Sequence, residues 1–176
     1  MGVTQMRVAE FNNAAVETLE NRRMLAANVS VSGDVLTIKG DPAGQIVELF
    51  ESNLGGERQV VVRFDANGNG SYSDPGDLYD ASFRGINTVV ARLGLGDDRL
   101  SITLADPFSN AGRTYDLRTG AGNDQVRFSS PIGNDIRSSS IAMTLDTAGG
   151  NDDVAISLNR LSASSFSANV TTGGGD

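Results

Sequence analysis

An internal repeat of about 26 residues is the feature that most limits how this chain can fold. Segments 117–128 and 145–156 share the pattern Leu-x-Thr-small-x-Gly-Asn-Asp-x-Val-x-apolar. A related segment begins at Ala91, and another that begins at Val170 is cut short at Asp176. Repeats of this length are typical of folds in which each unit buries its apolar face against the next unit.

The repeat can be followed back to the first third of the sequence. Apolar anchor positions recur at steps of 25 to 28 residues, and they are Ile38, Phe64, Ala91, Leu117, Leu145 and Val170. The residue two before each anchor is also apolar or aromatic, as expected for strands with alternate side chains facing inward. The apolar pattern that follows each anchor is broken after Phe64, by Ser73 and Pro75. The sequence therefore predicts an all-β parallel β-helix, or β-solenoid, with about 26 residues per coil.

Two segments are predicted along the chain. Residues 1–27 form an N-terminal sorting or capping segment, partly helical, because Phe11, Ala15 and Leu19 recur at helical spacing. Residues 28–176 form the β-solenoid repeat domain, truncated in its last repeat. The run 19–26 resembles the Leu-Glu-x-Arg-x-Leu-Leu element near the N-terminus of exported proteins of planctomycete bacteria. That resemblance implies an extracellular or cell-surface location.

Composition limits the chemistry that is available. The chain has no Cys and no His, which excludes disulfides, thiolate or imidazole metal sites and Ser-His-Asp triads. Any metal must be held by oxygen atoms. The net charge of −8 has the wrong sign for a nucleic-acid partner, and no apolar stretch approaches the roughly 20 residues of a membrane span. Cations are the natural partners of such a chain.

Glycine-rich corners followed by paired acidic or amide residues are the first candidate site. These pairs are Asp97-Asp98, Asn123-Asp124 and Asn151-Asp152. In stacked units the second members would form a column at about 4.8 Å spacing, where two charges repel by about 0.9 kcal/mol in water. Calcium, which takes flexible oxygen ligands, would reverse that repulsion. The alternative is that Asn and Asp only form Asx-type turns at these corners.

One corner also resembles a known calcium motif. Residues 119–127 match the nonapeptide of the RTX calcium β-roll at Gly120, Gly122, Asp124 and Val126. The resemblance implies a bacterial surface or secreted protein with calcium-binding repeats.

A second candidate calcium site lies in the unit that breaks the apolar pattern. Oxygen-bearing side chains stand at Asp65, Asn67 and Asn69, followed by Gly70, as in the first half of an EF-hand-type loop. The backbone carbonyl of Ser71 would be the next ligand, and the closing carboxylate would come from Asp74 or Asp77. The alternative is an Asn/Gly-rich turn without metal.

The predicted function is a non-catalytic, calcium-binding structural or adhesive segment of an exported or cell-surface protein. Calcium ions are the expected cofactor, and a cell-surface polysaccharide or protein is a possible partner. The alternatives are a pectic-type polysaccharide-active β-helix enzyme and a spacer without ligand. No catalytic residue is assigned, because an active site occurs once whereas these corners recur in every unit.

Overall fold

The computed structural model describes residues 28–54, 57–104 and 108–175, and within these ranges the chain forms strands and no helix. The helix predicted within residues 1–27 lies outside the described residues. The strands are β1 (Asn28–Ser32), β2 (Val35–Lys39), β3 (Ile46–Leu54), β4 (Glu57–Asp65), β5 (Leu78–Arg84), β6 (Thr88–Leu95), β7 (Arg99–Leu104), β8 (Phe108–Ser109), β9 (Gly112–Ala121), β10 (Gln125–Ser129), β11 (Asp135–Arg137), β12 (Ser140–Asp146), β13 (Asp153–Ser157), β14 (Arg160–Ser162) and β15 (Ser165–Thr171).

The strands form two six-stranded sheets and one three-stranded sheet. Sheet A has the order β1-β2-β6-β9-β12-β15, sheet B has the order β13-β10-β7-β3-β4-β5, and sheet C has the order β14-β11-β8. From β2 to β15, neighbours in sheet A run parallel, so that Ala91 lies opposite both Ile38 and Leu117. In sheet B, β3, β7, β10 and β13 are likewise parallel.

Antiparallel strands make both large sheets mixed. Strand β1 pairs antiparallel with β2 in sheet A, and β3, β4 and β5 pair antiparallel in sheet B. Strands β4 and β5 are joined by the 65–77 loop, which contains a run of bends and turns. The chain therefore leaves the parallel order between β3 and β6.

The predicted parallel β-helix with about 26 residues per coil is wrong, because the two large sheets are mixed. Phe64, expected to be an anchor between Ile38 and Ala91, lies instead in β4 opposite Val47 of sheet B. Ile38 pairs directly with Ala91. The periodic pattern does not reveal this excursion, since an antiparallel hairpin has the same inward alternation as a stacked strand. Two repeat lengths also separate Ile38 from Ala91, so the phase survives the excursion.

Alternate side chains of sheets A and B face a shared apolar core. In sheet A the fully buried residues include Leu36, Val89, Tyr115 and Leu145, and in sheet B they include Leu49, Val62 and Ile102. Each fully buried aliphatic side chain contributes roughly 1.5 to 3 kcal/mol relative to exposure. The core fixes the sheets, and the glycine corners between the sheets position the candidate site residues.

Candidate functional site

The corners between sheets A and B bring Asp98, Asp124 and Asp152 into one file. Asp124 Oδ1 accepts the backbone N–H of Asp98 at 2.9 Å, and Asp152 Oδ1 accepts that of Asp124 at 3.0 Å. At the other end, Asp98 Oδ1 accepts the backbone N–H of Gln45 at 2.8 Å. We call these three residues the aspartate column. Each member binds the backbone of the neighbouring corner, which ties successive strands together.

A second file runs beside the aspartate column on the protein surface. Asp97 Oδ1 accepts the backbone N–H of Asn123 at 2.7 Å, and Asn123 Oδ1 accepts that of Asn151 at 2.9 Å. The side-chain amide of Asn123 also donates to Asp97 Oδ1. These oxygens therefore satisfy backbone donors, as the metal-free alternative for the corners expects of Asn and Asp.

Burial changes the acidity of the column. Asp98 and Asp124 are only 2% and 1% exposed, and the Oδ2 atom of each has no hydrogen-bond partner. Loss of hydration raises the pKa of Asp98 to about 7, although the hydrogen bond from the Gln45 backbone opposes the shift. Burial likewise raises the pKa of Asp124. The column thus carries less negative charge near neutral pH than three independent carboxylates would.

Close backbone contact explains the glycines at the same corners. A Cβ atom on Gly120 would lie 1.6 Å from the carbonyl oxygen of Gly94, and one on Gly150 would lie 1.9 Å from that of Gly122. Gly120 also has a positive φ of 105°, a region that other residues rarely adopt. Chain packing alone therefore requires glycine at these positions, whether or not a metal binds nearby.

The 65–77 loop is organised around two carboxylates. Asp65 is fully buried; its Oδ1 accepts the backbone N–H groups of Asn67 and Gly68, and its Oδ2 accepts that of Gly70 at 2.6 Å. Asp77 closes the loop, since its Oδ1 accepts the N–H of Ala66 at 2.9 Å and its Oδ2 accepts that of residue 74 at 2.7 Å. Both carboxylates hold the backbone in its curved course.

Three of the predicted ligands converge at the outer side of this loop. The side-chain amides of Asn67 and Asn69 both donate to Asp74 Oδ2, at 3.1 and 2.7 Å. These hydrogen bonds, the one from Asn69 first, lower the pKa of Asp74. The backbone N–H of Ser71 donates to Asn69 Oδ1 at 2.7 Å, and its hydroxyl lies 3.0 Å from that of Ser73.

The described residues contain no group of three or more His, Cys, Asp or Glu side chains placed to hold a metal ion. A cation at the 65–77 loop would therefore depend on the Asn67 and Asn69 amide oxygens together with Asp74. The aspartate column offers no comparable convergence, because its Oδ1 atoms point along the file toward backbone donors.

A buried charged cluster was missed by the sequence reasoning. Arg113 donates through Nη2 to Glu51 Oε2, and the Tyr115 hydroxyl donates to Glu51 Oε1 at 2.8 Å. Glu51 and Arg113 are 1% and 2% exposed, and burial raises the pKa of Glu51 despite the nearby guanidinium. The signal was available, because both charges stand in phase with inward apolar residues of their strands, such as Leu49 and Leu117.

Comparisons of the chain with family models, with curated proteins and with solved structures found no match. Across residues 28–54, 57–104 and 108–175, no helix has the length and hydropathy needed to cross a membrane.

Proposed function

We propose that this chain is a non-catalytic structural or adhesive module of an exported or cell-surface protein and that its 65–77 loop binds Ca²⁺. The observation that carries the proposal is the convergence of the Asn67 and Asn69 side chains on the Asp74 carboxylate. Exposed side chains lose conformational entropy when they are held together, so three of them meeting at one point favours a role for that point.

The amide groups make this arrangement suited to a cation. Reversing the two amides about their terminal torsions would direct Oδ1 of Asn67 and Asn69 at Asp74 Oδ2. Three oxygens at such distances repel one another unless a cation lies between them. Calcium takes 6 to 8 oxygen ligands in flexible geometry, and the loop offers further oxygens from Asp65, Asp77 and the Ser71 carbonyl.

The aspartate column is assigned a structural role in this proposal. Its members cross-link backbone groups of successive corners, so they supply register without a ligand. The non-catalytic assignment is supported by the same bonds, because carboxylates that are bonded to backbone and largely buried are poorly placed to exchange protons with a substrate.

Calorimetric titration of the whole chain with CaCl₂, after removal of metal by EDTA, tests the calcium part. We expect a binding isotherm and a rise in thermal stability with added Ca²⁺, equivalent to about 2.7 kcal/mol at one hundred times the dissociation constant. Asp74→Asn should weaken binding, whereas Asp153→Asn, which removes one charge at an exposed ion pair with Arg127, should not. Identical unfolding curves in Ca²⁺ and EDTA, with no heat of binding, would refute the calcium site.

A further inference from the structure

A row of three cations crosses the outer face of sheet A. Lys39 of β2 lies opposite Arg92 of β6, which lies opposite Arg118 of β9. Their neighbours Ile38, Ala91 and Leu117 are buried, so the three charged side chains occupy the solvent face. We call this set the basic row. Adjacent strands lie about 4.8 Å apart, which places like charges side by side.

Compensation within the basic row is incomplete. Arg92 forms an ion pair with the Asp116 carboxylate and also donates to the Asp116 backbone carbonyl at 2.7 Å. Asp146 lies opposite Arg118, but its Oδ1 accepts the backbone N–H of Ala148 at 3.1 Å. Lys39 and Arg118 are exposed and take part in no ion pair among the described residues.

Like charges directly opposite each other on neighbouring strands destabilise a sheet. The basic row therefore costs stability in a chain whose net charge of −8 leaves acidic alternatives common elsewhere. A bound polyanion would remove that cost. Because the charges are spaced one per strand along the sheet, they match a chain that carries one anionic group per unit of similar length.

We propose that the basic row binds an acidic polysaccharide carrying a carboxylate on successive sugars. A pyranose residue is comparable in length to the strand spacing, so successive carboxylates can meet Lys39, Arg92 and Arg118 in turn. Guanidinium groups suit this role because their planar donors match a carboxylate in a bidentate fashion.

A nucleic acid fits this face less well. Duplex DNA carries one charge per about 1.7 Å of axis, so an acidic protein would repel most of it. Single-stranded nucleic acid is usually held by bases stacked on aromatic side chains. The other solvent-facing positions of β2, β6 and the paired part of β9 hold no aromatic residue; they are Val35, Thr37, Thr88, Val90, Thr114 and Asp116.

The test is binding of polygalacturonate to the whole chain at low ionic strength in EDTA, with neutral dextran as the comparison polymer. The chelator separates this surface from the proposed calcium loop, so failure of either leaves the other standing. We expect wild type to bind polygalacturonate, and Lys39→Gln/Arg118→Gln to bind about tenfold more weakly.

The matched control is Arg137→Gln/Arg160→Gln, which removes the same charge from the exposed ends of β11 and β14 in sheet C. Its binding should equal that of wild type, and thermal unfolding should show that both double variants remain folded. Three results would overturn the proposal: no binding by wild type, equal weakening in the two double variants, or tighter binding of single-stranded DNA than of polygalacturonate.

Discussion

Asp124 accepts the backbone N–H of Asp98 through Oδ1 at 2.9 Å, so an acidic side chain of one corner completes the hydrogen bonding of the corner beside it. Asp152 does the same for Asp124. The second oxygen of Asp98 and of Asp124 is buried without a partner. One oxygen of each side chain therefore stabilises the stack, while the other makes ionisation unfavourable.

Stability should depend on pH through Asp98. The pKa of this carboxyl is raised to about 7 by burial, so the folded state holds the proton more tightly than the unfolded chain. The contribution is present in full below about pH 3.8 and is lost as the pH rises to about 7. Asp98→Asn keeps an acceptor for Gln45 and cannot ionise.

We expect Asp98→Asn to be more stable than wild type at pH 8, by about 1 to 3 kcal/mol, and to lose that advantage at pH 4. Denaturant unfolding at a series of pH values measures the difference. Asp97→Asn, at the neighbouring exposed position, should show no such trend. A constant difference between Asp98→Asn and wild type across the series would contradict the assignment.

The buried pair of Glu51 and Arg113 should be sensitive to loss of either partner. Glu51→Leu or Arg113→Met alone leaves an uncompensated buried charge and should cost about 3 to 5 kcal/mol. The double variant should recover much of that loss, because an apolar pair of similar volume needs no charge partner. Urea unfolding of the four proteins gives the coupling, and additive losses would argue against a shared buried ion pair.

Substitution of corner glycines should separate close packing from general tolerance. Gly120→Ala places a Cβ 1.6 Å from the Gly94 carbonyl oxygen at a positive φ, and should cost more than about 2 kcal/mol. Gly112→Ala meets nothing within 4 Å and should change stability by less than about 1 kcal/mol. Thermal unfolding compares the two, and similar melting temperatures would be inconsistent with the tight corner.

The two acids of the 65–77 loop should differ when calcium is chelated. Asp65→Ala removes an acceptor for three backbone N–H groups and should cost about 1 to 3 kcal/mol in EDTA. Asp74→Ala removes an exposed acceptor of two side-chain amides and should change stability little in EDTA. Equal losses in chelator would mean that Asp74 shapes the loop by itself.

The sequence was informative where its repeat followed actual strand neighbours. Ala91, Leu117 and Leu145 share one template and lie opposite one another in sheet A, because equal chain lengths separate them. Phe64 could not be placed by the same rule, since hairpin strands and stacked strands alternate alike.

The candidate sites were partly predictable for a related reason. Asp98 and Asp124 were found because they recur at corners, and the 65–77 loop because its Asp and Asn residues alternate. Glu51 and Arg113 contact each other 62 residues apart, and no local pattern indicates such a pairing.

The outermost positions of β13, β14 and β15 give the protein unequal ends. Each is the last strand of its sheet in the described part of the chain, and Ile156, Leu161 and Val170 remain 38 to 40% exposed there. Their amide protons should exchange with solvent fastest, and those of β6 and β7 slowest. Thermal fraying would then advance strand by strand from this end while the centre of the sheets stays intact.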